Sequence, residues 1–163
     1  MSRQSFSIPV LAGVISLAAV LIHAAEPAAA TRSLQLSPGV KSLLTAEMVE
    51  IAGGVQGMAL SIASADWASI QSTSTRIRES YIMEKRLTPG QAEELERALP
   101  ERFKELDAEF HARALRLGTA AAAHDAELVV YHYSRLIDSC TACHAAYAAA
   151  RFPGFAAPTS HAH

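Results

Sequence analysis

An all-α fold, an antiparallel bundle of four main helices with a short connecting helix, is predicted by three features of this sequence. Apolar residues recur at alternating three- and four-residue steps in four separate segments. The composition is Ala-rich, 50% hydrophobic and only 6% aromatic, which favours long helices. Ser, Thr, Asp and Pro stand where those segments begin, as capping and first-turn residues do. No strand-like alternation or internal repeat competes with this reading, and 163 residues bound it to one domain once a leader is removed.

The leader is residues 1–25. Arg3 precedes an apolar run from Ile8 to Ile22, and small residues follow from Ala24 to Ala30, the pattern of a secretory signal peptide cleaved between Ala25 and Ala30. The run is about fifteen residues, short of the roughly twenty that span a bilayer, so an uncleaved anchor is the weaker alternative. Cleavage removes Arg3 from the 14 basic side chains and none of the 16 acidic ones, leaving a mildly acidic chain. No basic stripe interleaved with aromatics points to nucleic acid.

The bundle is expected over residues 33–155. Ser37 caps the first helix, Pro38 opens it, and Leu44, Met48, Ile51, Val55, Met58 and Ile62 form one stripe. Gly53, Gly54 and Gly57 lie inside it at a cost of up to about 1 kcal/mol each, and such a cluster asks for a close neighbour, either a packed helix or a flat cofactor. Asp66 caps a second helix from Trp67 to about Lys85, with Trp67, Ile70, Ser74, Ile77 and Tyr81 on one face.

Thr88 then caps a short connector ending near Leu99. Pro100 starts a third long helix, whose stripe is Phe103, Leu106, Phe110, Ala114, Leu117 and Ala121; the intervening Glu and Arg residues read as a solvated face. Asp125 caps the last helix. Val129, Tyr133, Leu136, Cys140, Cys143 and Tyr147 share its core stripe, and His144 lies at the stripe's edge. Residues 156–163 are a loosely held tail, and the RFPGF stretch before them is expected to be loose as well.

Within the last helix stands CTACH, Cys140 to His144. Two cysteines separated by two residues and followed by histidine read as a c-type haem attachment site: each thiol forms a thioether with a haem vinyl group, and the imidazole becomes the proximal iron ligand. Cys140 and Cys143 are the only cysteines, so a structural zinc site lacks its second pair of ligands. A thioredoxin-like dithiol would sit at a strand-to-helix turn, which a late helical segment does not offer.

A helical chain with CxxCH in its last helix resembles the class II c-type cytochromes, the cytochrome c′ group, over about residues 37 to 150. The resemblance implies a four-helix bundle carrying one covalent haem c near the C-terminus, with Cys140 and Cys143 at the thioether positions and His144 as proximal ligand. Tyr147 matches the aromatic that follows the histidine in the family. The basic residue often found next is absent, Ala148 standing there, and Arg151 is either its substitute at a propionate or a surface arginine.

The sixth iron position comes from the first helix in this group. Low-spin members use a methionine, for which Met48 is the candidate and Met58 the alternative; five-coordinate members present an apolar wall, which Leu44 could form. His111, next to Phe110 on the third long helix, is a further candidate ligand, though a partly exposed helix residue is the plainer reading. A Met48 thioether would favour ferrous iron and outer-sphere electron transfer.

The expected function is therefore a periplasmic monohaem electron carrier, not an enzyme, meeting redox partner proteins as a monomer or homodimer without a membrane anchor. The alternative is a five-coordinate haem protein that binds nitric oxide or carbon monoxide. A haem-free helical scaffold with an accidental CTACH is a third reading.

Overall fold

A computed structural model describes residues 33–155. The expected signal segment 1–25, the expected cleavage window and the tail 156–163 with His161 and His163 lie outside the described residues. Those described form an all-helical structure without a strand, compatible with a helical bundle: α1 Pro38–Ala63, α2 Trp67–Arg78, α3 Met83–Arg86, α4 Pro89–Ala98, α5 Glu101–Ala122 and α6 Ala126–Tyr147, followed by a single 3₁₀ turn at Pro153–Phe155. None of these helices is long and apolar enough to cross a membrane.

Helix starts follow the sequence closely. The Ser37 hydroxyl accepts from the Val40 N–H at 3.4 Å, and Asp66 and Asp125 accept from Ser69 and Leu128 at 3.0 and 2.9 Å. Thr88 and Gln91 cap α4 reciprocally, a capping box. Glu94 of α4 in turn receives the Ser37 N–H at 2.6 Å and its hydroxyl at 2.9 Å, pinning the connector to the start of α1. Pro100 is the residue before α5 and not its first turn, its extended ψ of 150° turning the chain into the helix.

The second predicted helix is corrected. It does not run to Lys85; α2 stops at Arg78, and Ser80 adopts a left-handed φ of 56°. The side chain that ends it belongs to α1. Glu47 is buried, and its carboxylate accepts the N–H groups of Tyr81, Ile82 and Met83 at 2.8, 2.5 and 3.1 Å. Three donors that a continued helix would have paired internally are satisfied instead by one carboxylate.

The core consists of Met58, Ile70, Ile77, Ala114, Leu117, Ala120, Ala121, Val129 and Leu136, with Val55, Ile62, Trp67, Tyr81, Phe110 and Tyr133 against it. All four long stripes contribute. Full burial of a Leu or Ile side chain is worth about 1.5–3 kcal/mol, so this cluster holds α1, α2, α5 and α6 together. Packing is closest between α2 and α5 and between α5 and α6; α1 leans on α2 and touches α6 thinly. At the far end, Trp67 stacks on His124 with ring centroids 5.6 Å apart.

Candidate functional site

Cys140, Cys143 and His144 lie in the last two turns of α6, half-buried. The helical three-residue spacing sets both thiols on one side of the helix. Burial raises both thiols above the usual cysteine value, Cys143 to about 11 with Asp107 and Cys140 adding to the effect. Burial also lowers the His144 pKa, which favours the neutral imidazole that a metal requires.

The third helix in the core reaches the same place. Phe103 of α5 meets Tyr147 edge-on at 5.2 Å, and Asp107, one turn along, is the carboxylate that acts on Cys143. Tyr147 is thus a packing residue against α5, half-buried beside the motif. A further turn along, His111 Nε2 lies 3.6 Å from Asp107 Oδ1. Asp107 raises the His111 pKa against the opposing effect of burial, and the Ile77 carbonyl and Glu47 assist. Nδ1 of His111 is buried without a hydrogen-bond partner.

The two methionines differ sharply. Met58 is 1% exposed inside the core cluster, whereas Met48 is 39% exposed. The expectation that Met48 shares the buried stripe of α1 is corrected: the buried residues there are Val40, Glu47, Ile51 and Met58, and Glu47 occupies the inward position next to it. Leu44 is half-buried one turn earlier. Met58 is ten residues beyond Met48, about 15 Å along the helix axis.

The glycine cluster resolves into two kinds of position. A Cβ on Gly54 would collide with the Tyr81 hydroxyl and lie 3.1 Å from Thr73 Cγ2, so the close neighbour is the α2 side of the fold. Gly53 and Gly57 would meet nothing within 4 Å. Arg151 is exposed, with its backbone N–H on the Ala148 carbonyl at 2.9 Å, and no side-chain ion pair joins it to a described residue.

The RFPGF stretch, expected to be loose, is exposed throughout and contains the 3₁₀ turn Pro153–Phe155. Phe152 returns over the last turn of α6 and stacks on His144, ring centroids 4.7 Å apart and planes at 23°. Glu47, Asp107 and Phe152 are the residues that sequence reasoning missed around this end of the molecule. For Glu47 a signal existed: Val40, Glu47, Ile51 and Met58 recur at seven, four and seven residues, with a carboxylate in an otherwise apolar row.

A haem fits these residues on chemical grounds. Both thiols and the imidazole share one end of α6, and the contact of that helix with α1, which carries Leu44 and Met48, is thin; the exposed Gly53 and Gly57 are on the solvent side of α1. Among the described residues no group of three or more His, Cys, Asp and Glu side chains could hold a free metal ion. An iron held by a porphyrin asks only one or two ligands of the chain. Two open clefts of about 320 Å³ lie away from the motif, one between α2 and α5 beside Ser74 and Gly118, the other between α5 and α6 beside Arg113 and Tyr131. Comparison with known protein families, with curated proteins and with solved structures finds no match.

Proposed function

We propose that this protein is a monohaem c-type cytochrome that carries electrons, with a covalent haem c held by Cys140 and Cys143 and His144 as its proximal ligand. The observation that carries the reading is the half-buried CTACH at the end of α6, facing a seam between helices. When bound, the haem supplies a one-electron iron couple. The chain's own residues do the rest. Cys140 and Cys143 tether the group, the half-buried imidazole of His144, its pKa lowered by burial, offers its lone pair, and the apolar core formed around Leu136 and Ile77 excludes water.

The finer architecture belongs to the same proposal: an antiparallel four-helix bundle of α1, α2, α5 and α6, of the cytochrome c′ type. Supporting contacts run in opposite senses along neighbouring helices, Phe103 with Tyr147 and Arg113 with the Arg135 carbonyl between α5 and α6, Gly54 with Thr73 between α1 and α2, and Glu47 with Tyr81 just past the end of α2. An exported, periplasmic protein exchanging electrons with redox partner proteins is the setting that the signal-like leader and the attachment chemistry support.

Met48 is proposed as the sixth ligand. The second reading, an open iron that binds nitric oxide or carbon monoxide, is favoured by one observation: Met48 is partly solvent-exposed while Leu44 is more enclosed. Absorption spectra of both oxidation states, after expression with a haem-attachment system, separate the two. A low-spin spectrum with a near-infrared sulfur-to-iron band supports the carrier, and a high-spin ferrous spectrum supports the gas binder.

A further inference from the structure

We propose that Phe152 is a positioning residue for the proximal ligand: stacked on one face of His144, it fixes the rotation of the imidazole ring that faces the iron. The inference rests on the haem reading above.

The placement of Phe152 is built by the backbone. The Ala148 N–H closes α6 on the His144 carbonyl at 2.9 Å; the Arg151 and Phe152 N–H groups then return to the Ala148 carbonyl at 2.9 and 3.0 Å. Ala149, 6% exposed, anchors the turn, and the 3₁₀ turn that follows hydrogen-bonds Phe155 N–H to the Phe152 carbonyl at 3.0 Å. The Phe155 ring meets Phe152 edge-on with centroids 6.5 Å apart. Phe152 is 37% exposed, so the backbone turn, and not burial, sets it against the imidazole.

The stack is suited to a ligand. An imidazole lone pair lies in the ring plane, so a partner on the face leaves the coordinating nitrogen free. The last torsion of a histidine side chain is broad, and something must restrain it for a defined metal bond. A hydrogen bond from the second ring nitrogen usually does this. Here no side-chain hydrogen bond joins the His144 ring to a described residue, and the aromatic face of Phe152 at 4.7 Å is the restraint the fold provides.

The test compares holoproteins of the wild type with F152A, F152L, F152Y and F152W, all made with a haem-attachment system. Covalent haem is quantified, helix content is checked by circular dichroism, and the iron–histidine bond is followed by electron paramagnetic resonance and by displacement with nitric oxide in the reduced protein, which labilises that bond. F152A and F152L are expected to carry haem and retain helix content, but to lose the bound His144 to nitric oxide roughly tenfold more readily, with a broadened g-spread. F152Y and F152W restore the wild-type values. Equal displacement and resonance in F152A and the wild type overturn the proposal while leaving the haem reading intact, as does full restoration by leucine, which buries the ring without stacking. A wild-type protein without covalent haem overturns both.

Discussion

The Tyr133 hydroxyl donates to the Val55 carbonyl at 3.2 Å, joining α6 to α1 across a thinly packed seam. This bond sets a register. In the proposed antiparallel bundle, seven residues forward along α6 reach Cys140 and seven back along α1 reach Met48, each two turns away on nearly the same face. That count sets Met48 level with Cys140, and Leu44 with His144. The same count carries Met58 away from the motif and into the core.

The register predicts a split between the methionines. In the holoprotein, M48A should abolish the near-infrared sulfur-to-iron band and give a five-coordinate ferrous spectrum, while M58A should keep the band and lower stability by about 2–5 kcal/mol as a buried large-to-small change. Absorption spectroscopy and urea unfolding read the two effects. A sulfur band that survives M48A refutes the assignment.

Glu47 should behave as a structural carboxylate. E47A leaves the part-buried N–H groups of Tyr81 and Ile82 without an acceptor, Met83 keeping the Ser80 hydroxyl, and should cost about 2 kcal/mol or more, and E47Q, which keeps one acceptor oxygen, clearly less. Urea midpoints measure both. Equal losses in the two variants would show that packing, not hydrogen bonding, holds the turn.

The glycines of α1 should separate in the haem-free chain. G53A and G57A meet open space and should each stabilise by about 0.5–1 kcal/mol, the helix preference for alanine. G54A should be neutral or destabilising because its methyl group meets Tyr81 and Thr73. Thermal unfolding of the three variants checks the order.

Much of this was legible in the sequence, and the reasons for the rest are physical. Helix starts were readable because capping is local: Ser37, Asp66, Thr88 and Asp125 act within three residues of themselves. That CTACH is helical was readable because the three- and four-residue spacing of the last stripe runs through it. The end of α2 was not, since the side chain that stops it, Glu47, comes from 34 residues earlier in the chain. Phe152 escaped for a related reason: only a turn whose geometry is fixed by backbone hydrogen bonds brings it back over His144.

The raised thiol of Cys143 predicts slow chemistry in the folded, haem-free chain. With a pKa of about 11, its thiolate is scarce at neutral pH. At pH 8, iodoacetamide should alkylate it at least ~10-fold more slowly than an unfolded-chain cysteine, the rate climbing as pH rises towards that value. Mass spectrometry of the modified chain over a pH series measures this. Rapid alkylation at pH 7 in the folded chain contradicts the burial.

The Asp107–His111 pair should leave a mark on the pH dependence of stability. Because the folded pKa of His111 is raised, chiefly by Asp107, its contribution is fully present below the unfolded value of about 6.5 and is lost as pH rises through the folded value. The difference in unfolding free energy between wild type and D107N should therefore shrink from acid to alkaline pH across that window. Taking the difference cancels histidines such as His132 and His144, whose pKa values are lowered and whose effect has the opposite sign.

The measurement that bears most directly on the central claim is an absorption spectrum of the protein purified under denaturing conditions after co-expression with a haem-attachment system, beside the C140A/C143A double variant. A covalent c-type haem spectrum at one haem per chain, absent from the double variant, is the predicted result. A wild-type chain that emerges without haem contradicts the account.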